Sequence, residues 1–232
     1  MKRYALVTCG NRGIGFEACR QLAKVGFTVI LASRDESKGL RAVDELKSEN
    51  LDILYHKLDV TSRDDVDKIV RFIEKEIGRL DVLVNNAGVY LDEGRNLLDI
   101  EDEVMKTTKD VNLMGPFYLC RAIVPIMNKN KYGRIVNVSS GLGSVSSMSA
   151  GTGAYKISKA ALNSLTRIIA AEVDSKQIKV NSLSPGWVRT GMGGKHANRT
   201  PKEATEGIIW LATLPEDGPT GGFFRDQKQL SW

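Results

Sequence analysis

Tyr155 and Lys159 stand four residues apart in "GAYKISK", a spacing that puts both side chains on one face of a helix. A free phenol ionises near pH ~10. A lysine ammonium within about 4–6 Å favours the phenolate and lowers that value. The product of such a pairing is a proton donor better matched to neutral pH. In a chain with six tyrosines and 33 basic residues the pair also arises by chance, so its placement carries more weight than its existence. Ser140 closes the apolar run "RIVNVSS" and opens the short Gly/Ser-rich link that leads to this helix.

A second chemistry-bearing stretch opens the chain. "ALVTCGNRGIGFEACRQLAKVGF", Ala5 to Phe27, reads as a buried strand, a glycine-rich turn and a helix. Free backbone N–H groups and the helix dipole at such a junction hold phosphate, and glycines let the backbone approach closely. Gly13 and Gly15 sit where the helix starts, and by themselves they fit a phosphate cradle or a tight turn alone. The second strand ends "LASRD", with Arg34 where NAD binders usually carry an acidic group for the ribose 2′-hydroxyl. Arg34 and Arg12 together suit a 2′-phosphate, which favours NADP(H), while two solvated arginines are the plainer alternative. Asp59 in "LDVT" and Asn86 and Gly88 in "LVNNAG" follow the third and fourth strands, where open α/β sheets bind ligands. Asp59 is placed to meet an adenine amino group and Asn86 and Gly88 to pass under a ribose. Turn chemistry explains each of them equally well.

These residues need a scaffold that brings strand ends together. Strands are expected at Tyr4–Cys9, Thr28–Ser33, Ile53–Leu58, Asp81–Asn85, Arg134–Ser139, Lys179–Ser184 and Gly222–Arg225. The first six are nearly continuous in apolar residues, as strands covered on both faces are. Helical segments lie between them, including one behind Ser62, an expected N-cap. The expectation is an α/β fold: a single-domain Rossmann-type doubly wound parallel sheet of about seven strands, helices on both faces, over residues 1–232. Segment 191–201, "GMGGKHANRTP", reads as a flexible substrate loop.

Composition narrows the partners. The net charge is +5, yet the basic residues are scattered, which argues against nucleic acid and for an anionic cofactor. Cys9, Cys19 and Cys120 form no C-x-x-C pair, and His56 and His196 lie far apart, so no metal site is expected. Free thiols, the absence of an apolar run near ~20 residues and a strand that starts almost at once predict a cytoplasmic protein without membrane association.

In combination the chain resembles the short-chain dehydrogenase/reductase family, in its carbonyl reductase-like branch. The likeness rests on T-x-x-x-x-G-x-G at Thr8–Gly15, Asp59–Val60, N-N-A-G at Asn85–Gly88, Asn112, Ser140, Tyr155, Lys159 and "PGWVRT" at Pro185–Thr190. "CGNRGIG", "LASRD" and the tail "LATLPEDGPTGGFFRDQKQLSW" point to the branch. The resemblance implies an NADPH-dependent reductase of small-molecule ketones, aldehydes or quinones. Tyr155 would protonate the carbonyl oxygen, Ser140 would orient it, and Lys159 would hold the nicotinamide ribose and lower the Tyr155 pKa. Ser140 is preferred to Ser139 because the family uses the second serine of the pair. Asn112 would kink its helix and hold a relay water. Gly10, Asn11, Arg12, Gly13, Ile14, Gly15, Arg34, Asp59, Val60, Asn86, Gly88, Tyr155, Lys159, Val188 and Thr190 would hold the cofactor. An NADP-dependent alcohol or hydroxysteroid dehydrogenase is the nearest alternative. A non-catalytic NADP-binding redox sensor is the alternative of another class.

Two departures from the family pattern stand out. The first glycine of T-G-x-x-x-G-x-G is Cys9 here. A negative φ is expected at Cys9, with cofactor binding somewhat weakened and a thiol that bound NADP protects; a small buried thiol with no role is the plainer alternative. Gly191 stands where carbonyl reductases commonly have Asp, which predicts an open pocket, with Trp187 lining it or simply packing. The short link from Ser140 to Tyr155 and the small and apolar faces of the helix that follows predict a homodimer or homotetramer.

Overall fold

The structure is a computed structural model, and it describes residues 2–232. Eight strands form one sheet in the order β3-β2-β1-β4-β5-β6-β7-β8. They are β1 (Arg3–Thr8), β2 (Phe27–Ser33), β3 (Ile53–Lys57), β4 (Val82–Asn85), β5 (Gly133–Val138), β6 (Ile178–Leu183), β7 (Phe223–Arg225) and β8 (Lys228–Gln229). β1 through β7 run parallel, as expected. β8 is one strand more than the expected seven: a tight turn after Arg225 folds it back antiparallel on β7. The other boundaries match the sequence reading to within about one residue, the usual scatter of strand ends.

The helices are α1 (Gly13–Lys24), α2 (Glu36–Ser48), α3 (Arg63–Phe72), α4 (Asp102–Lys109), α5 (Gly115–Lys129), α6 (Gly153–Glu172) and α7 (Pro201–Ala212). Alternation along the strands sorts them into two layers. Ala5 and Val7 of β1 pack with Cys19 and Leu22 of α1, Val43 of α2 and Ile208 of α7. Leu6 of the same strand packs with Ile69 of α3, Ile123 of α5 and Val180 of β6. Both faces of the sheet are therefore dry, which is why its strands are apolar throughout. Ser62 caps α3 by accepting from the Asp65 amide at 3.2 Å, as its position suggested.

The strand order reverses between β1 and β4, so the loops after these two strands part and leave a crevice at the carboxyl edge. Every residue singled out in the sequence for chemistry lies at or near that edge.

Candidate active site

The loops after β1 to β4 enclose a cleft of about 730 Å³ lined by Cys9, Asn11, Arg12, Arg34, Asp59, Val60, Gly88 and Val89, among others. Its floor is the first turn. Arg12, the N-cap of α1, gives no side-chain cap, and the first turn of α1 holds no acidic residue. The leading N–H groups of the helix are thus left for an external anion. Gly13 has φ +56, and a Cβ on Gly15 would fall 2.3 Å from the Cys9 carbonyl oxygen, so both positions require glycine. A Cβ on Gly10 would meet Leu31 Cγ at 2.8 Å. These observations fit a bound dinucleotide.

Cys9 departs from the sequence reading. Its φ is +52, left-handed, where a negative value was expected. The Gly10 amide still donates to the Ala32 carbonyl at 3.0 Å, so the left-handed residue sits where β1 leaves the sheet. The cost for a non-glycine residue is about 1–2 kcal/mol.

Four basic residues, Arg12, Arg34, Lys38 and Arg41, line the cleft beside β2. The sequence reading named the first two. Lys38 and Arg41 repeat at helical spacing behind Asp35, which caps α2 by accepting from the Lys38 amide, and that periodicity was the signal for them. Asp35 also lines the cleft, its carboxylate engaged by the Lys38 amide and the Ser37 hydroxyl. The Asp59 carboxylate lies 3.9 Å from Arg34 and also accepts from the Thr61 amide and hydroxyl, so it is largely engaged in its own turn. Asn86 is likewise engaged, donating to the carbonyls of Thr8 (2.9 Å) and Cys9 (3.3 Å) and tying the loop after β4 to the first turn. Thr190, after β6, places its methyl 3.2 Å from the Cβ position of Gly13, bringing that loop over the turn. Val188 is buried and pairs with Arg199 at the base of the 191–201 segment. Trp187 is 57% exposed and donates its indole N–H to the Gly193 carbonyl.

The catalytic candidates converge at the ends of β5 and α6. Ser139 turns inward, donating to the Lys159 carbonyl, whereas the Ser140 hydroxyl accepts from the Leu142 amide at 3.2 Å and draws the Tyr155 pKa down, against the effect of burial. Tyr155 is almost fully buried, and the Tyr90 ring lies against it with centroids 4.6 Å apart. Lys159 is also buried; its ammonium lies 5.6 Å from the Tyr155 ring centroid and donates to the Val138 carbonyl at 2.9 Å. Burial pushes the phenol up to about 12 and the ammonium down to about 8. The expected lowering of the Tyr155 pKa by Lys159 is absent from this arrangement: burial sets the shift, and the ammonium is directed at the Val138 carbonyl.

Asn112 sits in a π-turn, Asp110–Met114, that interrupts the helical run between α4 and α5. The irregularity expected around this residue is present. Its Oδ1 accepts from the Val89 amide, and its Nδ2 donates to the Val89 carbonyl and to Ser158 Oγ. The side chain is thus spent on holding the loop after β4 against α6.

The short chain dehydrogenase family model matches residues 3–201. The chain belongs to the short-chain dehydrogenase/reductase family. Like the family members it resembles, it is an oxidoreductase. (+)-Neomenthol dehydrogenase of Arabidopsis thaliana is 33% identical, covering 99% of this chain and 97% of its own. Carbonyl reductase (NADPH) 1 of Bos taurus is 33% identical, covering 98% of each. The first alignment runs over 294 positions against the 232 residues of this chain, so that relative carries segments this chain lacks. Among solved structures, the carbonyl reductase Sniffer of D. melanogaster superposes with TM-score 0.91 at 28% identity over the whole of both chains. The NADPH-bound carbonyl reductase from chicken fatty liver superposes with TM-score 0.89 at 26% identity, covering 100% of this chain and 99% of that one.

Proposed function

We propose that the protein reduces ketones, aldehydes or quinones with NADPH, Tyr155 acting as general acid. The observation that carries this reading is the buried Tyr155 ring with the Lys159 ammonium 5.6 Å from its centroid, held at the carboxyl end of β5 by the Val138 carbonyl. The phenol donates its proton to the carbonyl oxygen, and the Ser140 hydroxyl orients that oxygen. Lys159 holds the nicotinamide ribose and compensates the charge left on Tyr155. The bound cofactor supplies the hydride. Asn112 keeps Val89 and α6 in register. The amides of Gly10 to Gly15, Asn11 and Ile14 among them, receive the phosphates. Arg12 and Arg34 clamp the 2′-phosphate, assisted by Lys38 and Arg41. Asp59 and Val60 border the adenine, Asn86 and Gly88 the ribose, and Val188 and Thr190 the nicotinamide amide.

Residues 191–201 serve as the substrate loop of a single NADP-binding domain. Ile157 and Ile168 stand exposed on α6, which supports a homodimer or homotetramer, checked by sedimentation at micromolar concentration. Three unpaired cysteines support a cytoplasmic location, and no helix of the described residues is long and apolar enough to cross a membrane.

NADPH oxidation with a carbonyl panel tests the reading. Tyr155→Phe should lower turnover by about 10²–10⁴ while NADPH still binds. Equal rates in wild type and variant would dispose of the mechanism.

A further inference from the structure

α6, the helix that carries Tyr155, begins in an unusual way. Its N-cap, Thr152, is left-handed at φ 59 and ψ 38, and its side chain caps nothing. An N-cap residue normally adopts an extended conformation and accepts from the amides two or three positions on. Those amides belong to Ala154 and Tyr155. Both point instead at Asp92, whose Oδ2 accepts from Ala154 at 2.7 Å and from Tyr155 at 3.4 Å. Asp92 comes from the loop after β4, some sixty positions earlier in the chain. It is fully buried, and its other oxygen, Oδ1, has no partner among the described residues.

The same loop grips the start of α6 at three further points. The Tyr90 hydroxyl hydrogen-bonds Thr152 Oγ1 at 3.2 Å, and the Tyr90 ring packs on the Tyr155 ring. The Arg95 carbonyl accepts from the Thr152 amide at 2.8 Å. On its other side the loop is held at Val89 by Asn112. Ser158, which Asn112 also engages, donates to the Tyr155 carbonyl at 2.7 Å. The backbone N–H and C=O of Tyr155 are therefore both tied to the loop that borders the cofactor cleft.

We propose that Asp92 is a positioning residue for the reaction: it caps the catalytic helix in trans and thereby sets where the Tyr155 phenol stands relative to Ser140 and the substrate oxygen. A carboxylate is suited to this because it meets two amides at the positive end of the helix dipole. The αL turn at Thr152 fits the same scheme, since it removes the local cap and leaves the two amides to Asp92. A displacement of about 1 Å at a proton-transfer site is enough to cost about 10²-fold in rate. The proposal rests on Tyr155 being the general acid.

The test compares Asp92→Ala, Asp92→Asn and Asp92→Glu in the full chain. Hydrogen exchange at the Ala154 and Tyr155 amides reads the cap without any turnover. Asp92→Ala should exchange these amides at least tenfold faster. At saturating NADPH and carbonyl, its kcat should fall at least tenfold, its KM for NADPH should stay within threefold, and its solvent deuterium isotope effect should rise. Asp92→Asn keeps an acceptor in place and should restore kcat to within threefold of wild type. Asp92→Glu keeps the charge but moves the acceptor by a methylene, and should remain at least tenfold slow. If Asp92→Ala fails to fold, the contrast between Asn and Glu decides. Equal kcat for Asn and Glu, or unchanged amide exchange in Asp92→Ala, overturns the proposal. So does an Asp92→Ala enzyme that loses thermal stability alone. Equal turnover by wild type and Tyr155→Phe would instead overturn the reading of the acid, and the exchange data would still report the cap.

Discussion

The Lys159 ammonium lies one helical turn from Tyr155, yet its hydrogen bond goes to the Val138 carbonyl and not to the phenol. The cation is buried with no carboxylate against it, and desolvation pushes it down to about 8 from an ordinary 10.5. The fold favours its neutral form. That contribution is complete above about pH 10.5 and is lost as the pH falls through about 8, so at pH 7 the full cost of a buried charge is present. Lys159→Met should therefore stabilise the protein at pH 7 by about 1–3 kcal/mol, net of the lost hydrogen bond. The gain should vanish by about pH 10.5. Turnover should fall at least about 100-fold in the same variant. Thermal unfolding at the two pH values, with a turnover assay, checks all three.

Cofactor choice should turn on Arg34. Its side chain is 81% exposed at the mouth of the cleft, 3.9 Å from the Asp59 carboxylate. A charge-assisted bond to a phosphate is worth about 1.5–3 kcal/mol, equivalent to about 10–100-fold in affinity. Arg34→Asp should raise the KM for NADPH by that factor and improve NADH, because the new carboxylate can accept from a ribose hydroxyl. Adding Arg12→Ala should weaken NADPH further. Steady-state kinetics with both nucleotides reads the switch.

Asn112 makes three hydrogen bonds in a fully buried position. Asn112→Ala removes them and leaves the Val89 amide and carbonyl unpaired. The expected destabilisation is about 2–4 kcal/mol, large because buried polar groups lose partners that water cannot replace. Denaturant unfolding should show a lower midpoint with an unchanged slope. A loss under about 1 kcal/mol would mean that the π-turn relaxes to pair these groups elsewhere.

The parallel sheet was legible because it is buried on both faces: Ala5 to Val7 and Val82 to Val84 are apolar without alternation. Tyr155, Lys159 and Ser140 were legible because the helical repeat and a strand end fix their relative places. Lys38 and Arg41 were readable in principle from their spacing behind Asp35 and were passed over. Asp92 had no such signal, since it lies in an irregular loop and acts on amides some sixty positions away. The pKa of Tyr155 was out of reach for a related reason. Spacing places a cation near a phenol, but burial and the aim of the ammonium are set by tertiary packing. The left-handed Cys9 belongs with these, because its φ is set by how β1 leaves the sheet, which residue type does not reveal.

Cys9 carries two consequences that can be measured separately. The first is strain. Cys9→Gly should remove the left-handed cost of about 1–2 kcal/mol and raise Tm by about 2–6 °C for a chain of this size. Cys9→Ser keeps a Cβ and should give no gain, which separates backbone strain from the chemistry of sulfur. The second is access. Cys19 and Cys120 are buried, and desolvation pushes both thiols up, Cys120 to about 12. Cys9 is partly exposed and lines the cleft. A thiol reagent should therefore label one residue first, and peptide mapping should identify it as Cys9. Saturating NADPH should slow that labelling at least about tenfold, because a dinucleotide lying along the first turn excludes the reagent. A rate unchanged by NADPH would show that the nucleotide does not cover the Cys9 side of the cleft.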